Sequence, residues 1–177
     1  MKELSELMLF LLLLVVHLLL LLRYKERVLD CLRKNARNPL KPTVLSMIID
    51  GMDQEHGRVP YLGTQNAFSS PLKQSITGVK EHGVGFTVYR TMNTVKKGAN
   101  LTIHCISSQI EAWYQRNGYY PEEIHLQLDG GCENANQHVL AYLESLIAKR
   151  VCRLIFYSRL PTGHTMRTLT RVSRSFG

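Results

Sequence analysis

No two of the four cysteines, Cys31, Cys105, Cys132 and Cys152, stand close enough to make a C-x-x-C pair. That absence suggests neither a zinc site nor a disulfide framework, and leaves free buried thiols as the expectation. An internal repeat is also missing, and no low-complexity tract occurs outside one leucine-rich run near the start. Aromatic residues are not interleaved with Lys73, Lys80, Arg90, Lys96 and Lys97 as a stacking platform for single-stranded nucleic acid would need, so these cations read first as a solvated face. The last stretch, LPTGHTMRTLTRVSRSFG from Leu160 to Gly177, contains no carboxylate.

What is there is mainly basic. Lys and Arg number 22 against 14 Asp and Glu, a formal charge of +8, and a pI near 9.5 points toward a polyanionic partner. A chain of 177 residues has room for one domain of about 100 to 150 residues with an appendage.

Residues Leu7 to Leu22 read LMLFLLLLVVHLLLLL, interrupted only by His17 and followed by the basic RYKER. As a helix the run spans about 24 Å, short of a hydrocarbon core of about 30 Å. No small-residue cleavage site follows, and Arg23, Lys25 and Arg27 would hold the downstream side in the cytosol. Two readings compete for residues 1–22. As a genuine anchor they make a membrane protein with a cytosolic domain; as a gene-model artefact they leave a nuclear one.

The rest parses into alternating elements. Residues 23–42 form a short basic helix with Val28, Leu29 and Leu32 on one stripe, ended by Pro39 and Pro42. TVLSMIID, ending in Asp50-Gly51, reads as a strand covered on both faces. Two β-rich segments from about Ser75 to Met92, parted near His82-Gly83, read as a hairpin. A helix capped by Asn100 follows, with Ile103, Ile106, Ile110, Trp113 and Tyr114 on its packing face, and Asn117-Gly118 stops it. EEIHLQLDG alternates as a half-apolar strand ending in Asp129-Gly130. Asn134 or Asn136 then opens a helix carrying Val139, Leu140, Leu143, Leu146 and Ile147, and VCRLIFYSRL supplies a last strand. The economical fold is α/β, a mixed five-stranded sheet with flanking helices over residues 43–165.

If their strands are parallel neighbours, Asp50 and Asp129 share one rim of that sheet. Two carboxylates so placed make a minimal cradle for Mg²⁺ or Mn²⁺, which take hard oxygen ligands. A third acid would complete a two-metal site for phosphodiester chemistry. His82, His104, His125 and His138 have no ligand spacing and read as structural.

Four segments in order, IIDGMDQ, ITGVKEHG, LQLDGGCENAN and LPTGHT, resemble an integrase/transposase-like domain family of eukaryotic mobile elements, within the ribonuclease H-like superfamily. The likeness runs from about Arg23 to Thr165. It implies a ribonuclease H-like fold, a Mg²⁺-dependent (or Mn²⁺-dependent) DNA strand transferase or nuclease, and DNA as partner. Asp50 and Asp129 are its implied catalytic metal ligands, with Asp53, Glu133, Asn134, Asn136 and His164 lining the site. No small-molecule substrate is evident.

Members of that family continue after GHT with His and an acidic cluster such as HEDID on a closing helix, where this chain has MRTLT. Codons that encode HEDIDACFSQFR, read after loss of their first base, encode MRTLTRVSRSFG, so a single slip accounts for residues 166–177. The third acid would then stand at Arg167 or Thr168. A closing helix would be lost, exposing part of one sheet face, and Arg167, Arg171 and Arg174 would supply +3 of the +8. The expectation is an inactive, truncated integrase-type domain. The alternatives are a non-catalytic nucleic-acid-binding module and a membrane-anchored protein of other purpose.

Overall fold

The computed structural model describes residues 2–51, 58–59, 72–92, 98–129 and 136–160. Helix α1, Lys2–Arg37, is unbroken because no proline or glycine interrupts the sequence before Pro39. The apolar run and the basic helix expected from Arg23 are therefore one element. Its packing stripe is rotated from the expected one: Cys31 is fully buried between half-buried Val28 and Leu32, while Leu29 is exposed. Among the described residues no helix is long and apolar enough to cross a membrane, so the anchor reading of residues 7–22 finds no support.

Asn35 joins α1 to the sheet. Its Oδ1 accepts from the backbone N–H groups of Thr43 and Val44 at 3.1 and 3.0 Å, and its Nδ2 donates to the Val44 carbonyl at 2.8 Å. One amide side chain thus satisfies the start of β1, Val44–Gly51, as a neighbouring strand would. β1 is buried from Val44 to Asp50, matching the reading of a strand covered on both faces.

The remaining elements are β2 (Arg58–Val59), β3 (Leu72–Glu81), β4 (Gly85–Met92), α2 (Ala99–Asn117), β5 (Glu123–Asp129), α3 (Gln137–Ala148) and β6 (Leu154–Leu160). The five long strands lie in the order β4-β3-β1-β5-β6, with the two-residue β2 also on β3. β1, β5 and β6 run parallel, β3 antiparallel to β1, and β4 antiparallel to β3. This is the mixed five-stranded α/β sheet with flanking helices expected from the sequence. The hairpin turn falls at His82–Val84, where Gly83 takes φ 83° in the region that favours glycine.

α2 begins at Ala99 with Gly98 as its cap, two residues ahead of the expected Asn100 cap, and ends at Gly118, whose φ of 77° and N–H donation to the Tyr114 carbonyl are as the sequence implied. Asn136 caps α3, its Oδ1 accepting from the His138 N–H at 2.9 Å.

One sheet face carries Leu45, Met47, Ile49, Val79, Ile124, Leu126 and Leu128, which pack with Ile106, Ile110 and Trp113 of α2 and Val139, Leu143 and Leu146 of α3. Full burial of each such aliphatic side chain is worth about 1.5–3 kcal/mol. Tyr114, Leu140 and Ile147, expected inside, are exposed at 39%, 42% and 42% because they sit at the flanks of their helical stripes. Strand alternation sends Ser46, Ile48 and Asp50 to the opposite face, over whose lower half α1 lies.

Candidate functional site

The first candidate ligand ends the central strand. Asp50 is 3% exposed. On one side it faces Gly78 of β3 in antiparallel register. On the other, β1 and β5 stay in parallel register through Ile48–Gln127 and Ile49–Leu128, so the next residue of each strand is Asp50 and Asp129. The two backbone positions are therefore neighbours at the carboxyl rim, about one strand spacing of 4.8 Å apart. Asp129 is in turn paired with Leu160 of β6. A single cross-strand row runs Leu160, Asp129, Asp50, Gly78, Val88.

This is the juxtaposition expected from the two Asp-Gly strand ends. Asp53, Glu133, Asn134 and His164 lie outside the described residues, as do Lys96, Lys97, Cys132, Arg167 and Thr168. Asn136 has another task, the α3 cap. Among the described residues no group of three or more His, Cys, Asp or Glu side chains is placed to hold a metal ion. Two carboxylates fit a hard divalent cation that keeps most of its waters, and nothing described supplies a third.

Below the rim the same face is polar. Tyr24 Oη and Ser46 Oγ flank the His82 ring at 2.8 Å from Nε2 and 3.0 Å from Nδ1. Burial pushes the His82 pKa down to about 4, with the nearby Lys80 charge acting the same way. The Tyr24 hydroxyl is pushed up to about 12 by its burial. Burial also lowers the pKa of His125, against the raising effect of Glu123 at 3.5 Å from its Nε2. Gln127 Oε1 and His125 Nδ1 are buried without a hydrogen-bond partner, and both residues border a cavity of about 20 Å³ beneath α1. That volume holds about one water molecule, not a substrate.

Of the histidines read as structural, His104 and His138 are exposed. His82 and His125 are interior, and His104 meets Tyr89 edge-on at 6.0 Å between centroids. Glu123 is held in its charged form chiefly by its hydrogen bond from Lys34 at 2.9 Å, and Arg153 adds a contact at 3.3 Å. This ion cluster sits at the amino end of β5, away from the aspartate rim. Cys31, Cys105 and Cys152 are free and buried. Burial raises the pKa of all three thiols, that of Cys105 to about 11. That the polar row Ser46, His125, Gln127 lies beneath α1 has no local signal, because period-two alternation marks a polar face without revealing what covers it.

A model of the family described as "Domain of unknown function (DUF7869)" matches residues 64–172, more than half of the chain. No curated protein matches. Among solved structures, a "Mos1 transposase paired-end complex with left transposon end" aligns with TM-score 0.41 and 11% identity, over 80% of this chain and 42% of that one. The "Mos1 Strand Transfer Complex" aligns with TM-score 0.41 and 10% identity, over 82% and 46%. The chain thus spans less than half of either.

Proposed function

We infer that this chain, which belongs to the DUF7869 family, is a transposase-derived domain whose Asp50–Asp129 rim is the residue of a metal-dependent site for phosphodiester transfer on DNA. One observation carries the reading. The two acids stand at the carboxyl ends of adjacent parallel strands in a mixed sheet, a placement that can seat a divalent metal for phosphoryl chemistry. In such a site Asp50 and Asp129 would hold Mg²⁺ or Mn²⁺, and the metal would supply an activated water or hydroxyl and steady the leaving oxygen. The chain's own part is to fix the first acid rigidly within a buried central strand.

Strand transfer is absent from this chain in the same reading. Where the resembling family places its third acid, the sequence has Arg167 and Thr168, and a guanidinium repels a cation instead of binding it. DNA contact persists without cleavage. Lys80 and Arg90 occupy the Asp50 face of β3 and β4 by register, where they would meet phosphates.

The test is a supercoiled-plasmid nicking assay with Mg²⁺ or Mn²⁺, run beside a binding titration. Salt-dependent DNA binding with no nicking is the expected result. Nicking that disappears in Asp50→Asn would refute inactivity, and absence of any DNA binding at low salt would remove the DNA reading.

A further inference from the structure

The outer strand β4 is covered on its α2 face, where Tyr89 packs against the core and accepts from Gln109 Nε2 at 3.0 Å, but among the described residues its outer edge and its Asp50 face are uncovered. Among the described residues it pairs only with β3, so alternate N–H and C=O groups along its eight residues point away from the sheet. Val88 and Met92 are 55% and 53% exposed, and Phe86 is 43% exposed, all on the Asp50 face. Val84 in the adjoining turn is 60% exposed. The usual protections of an edge are missing: GFTVYRTM has no proline and a single charge, Arg90. The register with β3 is unbroken from Gln74–Met92 to Glu81–Gly85, so no bulge twists the edge away.

We propose that β4 is a dimerisation strand, on which two copies of this chain pair antiparallel about a two-fold axis at Val88 to join their sheets into one. The open backbone edge calls for a β-strand as partner, and the strand is complementary to itself. With Val88 opposite its own copy, Phe86 lies opposite Arg90 of the second chain and Val84 opposite Met92, each contact occurring twice. Arg90 then stacks on a ring and meets no like charge. A register that set Arg90 against itself would lose both features. Closed two-fold association is also the commonest symmetry of homo-oligomers.

An axis normal to the sheet keeps both Asp50 faces on one side. The two Asp50 positions are then five strand spacings apart, about 24 Å. The pairing does not depend on the carboxylate rim binding metal, so its failure and the failure of the functional reading are separate results. Strand-pair interfaces of this length fall at the small end of specific ones, below about 1,200 Å².

Sedimentation of the full chain should show a monomer–dimer equilibrium, and Val88→Lys, which sets two ammonium groups across the axis, should weaken it at least tenfold while leaving the circular dichroism spectrum unchanged. Because position 88 faces itself, Val88→Cys should cross-link under a mild oxidant at least ten times faster than Phe86→Cys or the parent chain. A parent chain that stays monomeric, a dimer indifferent to Val88→Lys, or equal cross-linking at positions 86 and 88 would each overturn the proposal.

Discussion

Asp50 stands one residue past the Ile49–Leu128 register pair on β1, and Asp129 one residue past it on β5, so two acids from segments far apart in sequence meet at one rim. The pairing follows from strand lengths. β1 and β5 start in register at Val44–Glu123, and each runs the same number of residues before its Asp-Gly end, β1 almost wholly apolar and β5 apolar at alternate positions. Shifting either strand by one residue would send its carboxylate to the α2–α3 face among Ile49 and Leu128, where an ion without a partner is costly.

The junction of α1 with the sheet rests on Asn35. Asn35→Ala removes three hydrogen bonds and leaves two backbone N–H groups to find other partners, which should destabilise the fold by about 2–3 kcal/mol. Asn35→Asp keeps the acceptor and should recover about half of the loss. Urea unfolding of the two variants checks this.

Arg116 donates to Glu81 at 2.5 Å, with the Glu81 side chain 5% exposed and that of Arg116 39% exposed. Burial raises the Glu81 pKa above its ordinary 4.5, and Arg116 restrains the rise. A raised carboxyl contributes most below its unfolded pKa and loses that contribution as pH climbs through the folded value. Arg116→Met raises it further. The variant should therefore lose about 2 kcal/mol at pH 7, reduced from the fully buried case by the exposure of Arg116, and the deficit should shrink as the pH falls toward about 4.5.

His82 works in the opposite direction. It is faced by Tyr24 and Arg27 from α1, Ser46 from β1, Lys80 from β3 and His125 from β5. Its pKa is lowered from 6.5 to about 4, so the unfolded chain takes up the proton first and stability falls as pH drops across that window, by up to about 3 kcal/mol. His82→Gln should flatten this part of the stability profile. In NMR titration the His82 ring signals should not move between pH 7 and about 5.

Arg150 adopts φ 57° just past α3, where its N–H donates to the Ile147 carbonyl and that of Val151 to the Leu146 carbonyl. Glycine is the residue this helix ending favours. Arg150→Gly should stabilise the protein by about 0.5–1 kcal/mol in thermal or urea unfolding.

Much of this was legible in the sequence. The Asp-Gly pairs mark two strand ends, Gly118 marks the end of α2, Asn136 is one of the two caps read for α3, and the order of elements suggests a mixed sheet. Periodicity failed where an element's partner is remote. Leu29 and Cys31 differ by two positions on one helix, and only the position of the sheet decides which is buried. The Asn100 cap failed because Gly98 already turns the chain into α2. The polar row under α1 was invisible because contacts such as Tyr24–His82 join residues 58 apart.

If Asp50 and Asp129 jointly hold a divalent cation, Mn²⁺ titration of the full chain followed by electron paramagnetic resonance will report it. One weak site per chain, in the millimolar range and lost in both Asp50→Asn and Asp129→Asn with unchanged folding, is the result expected of a two-acid cradle. Mn²⁺ binding that survives both substitutions, or a parent chain that binds none, would contradict it.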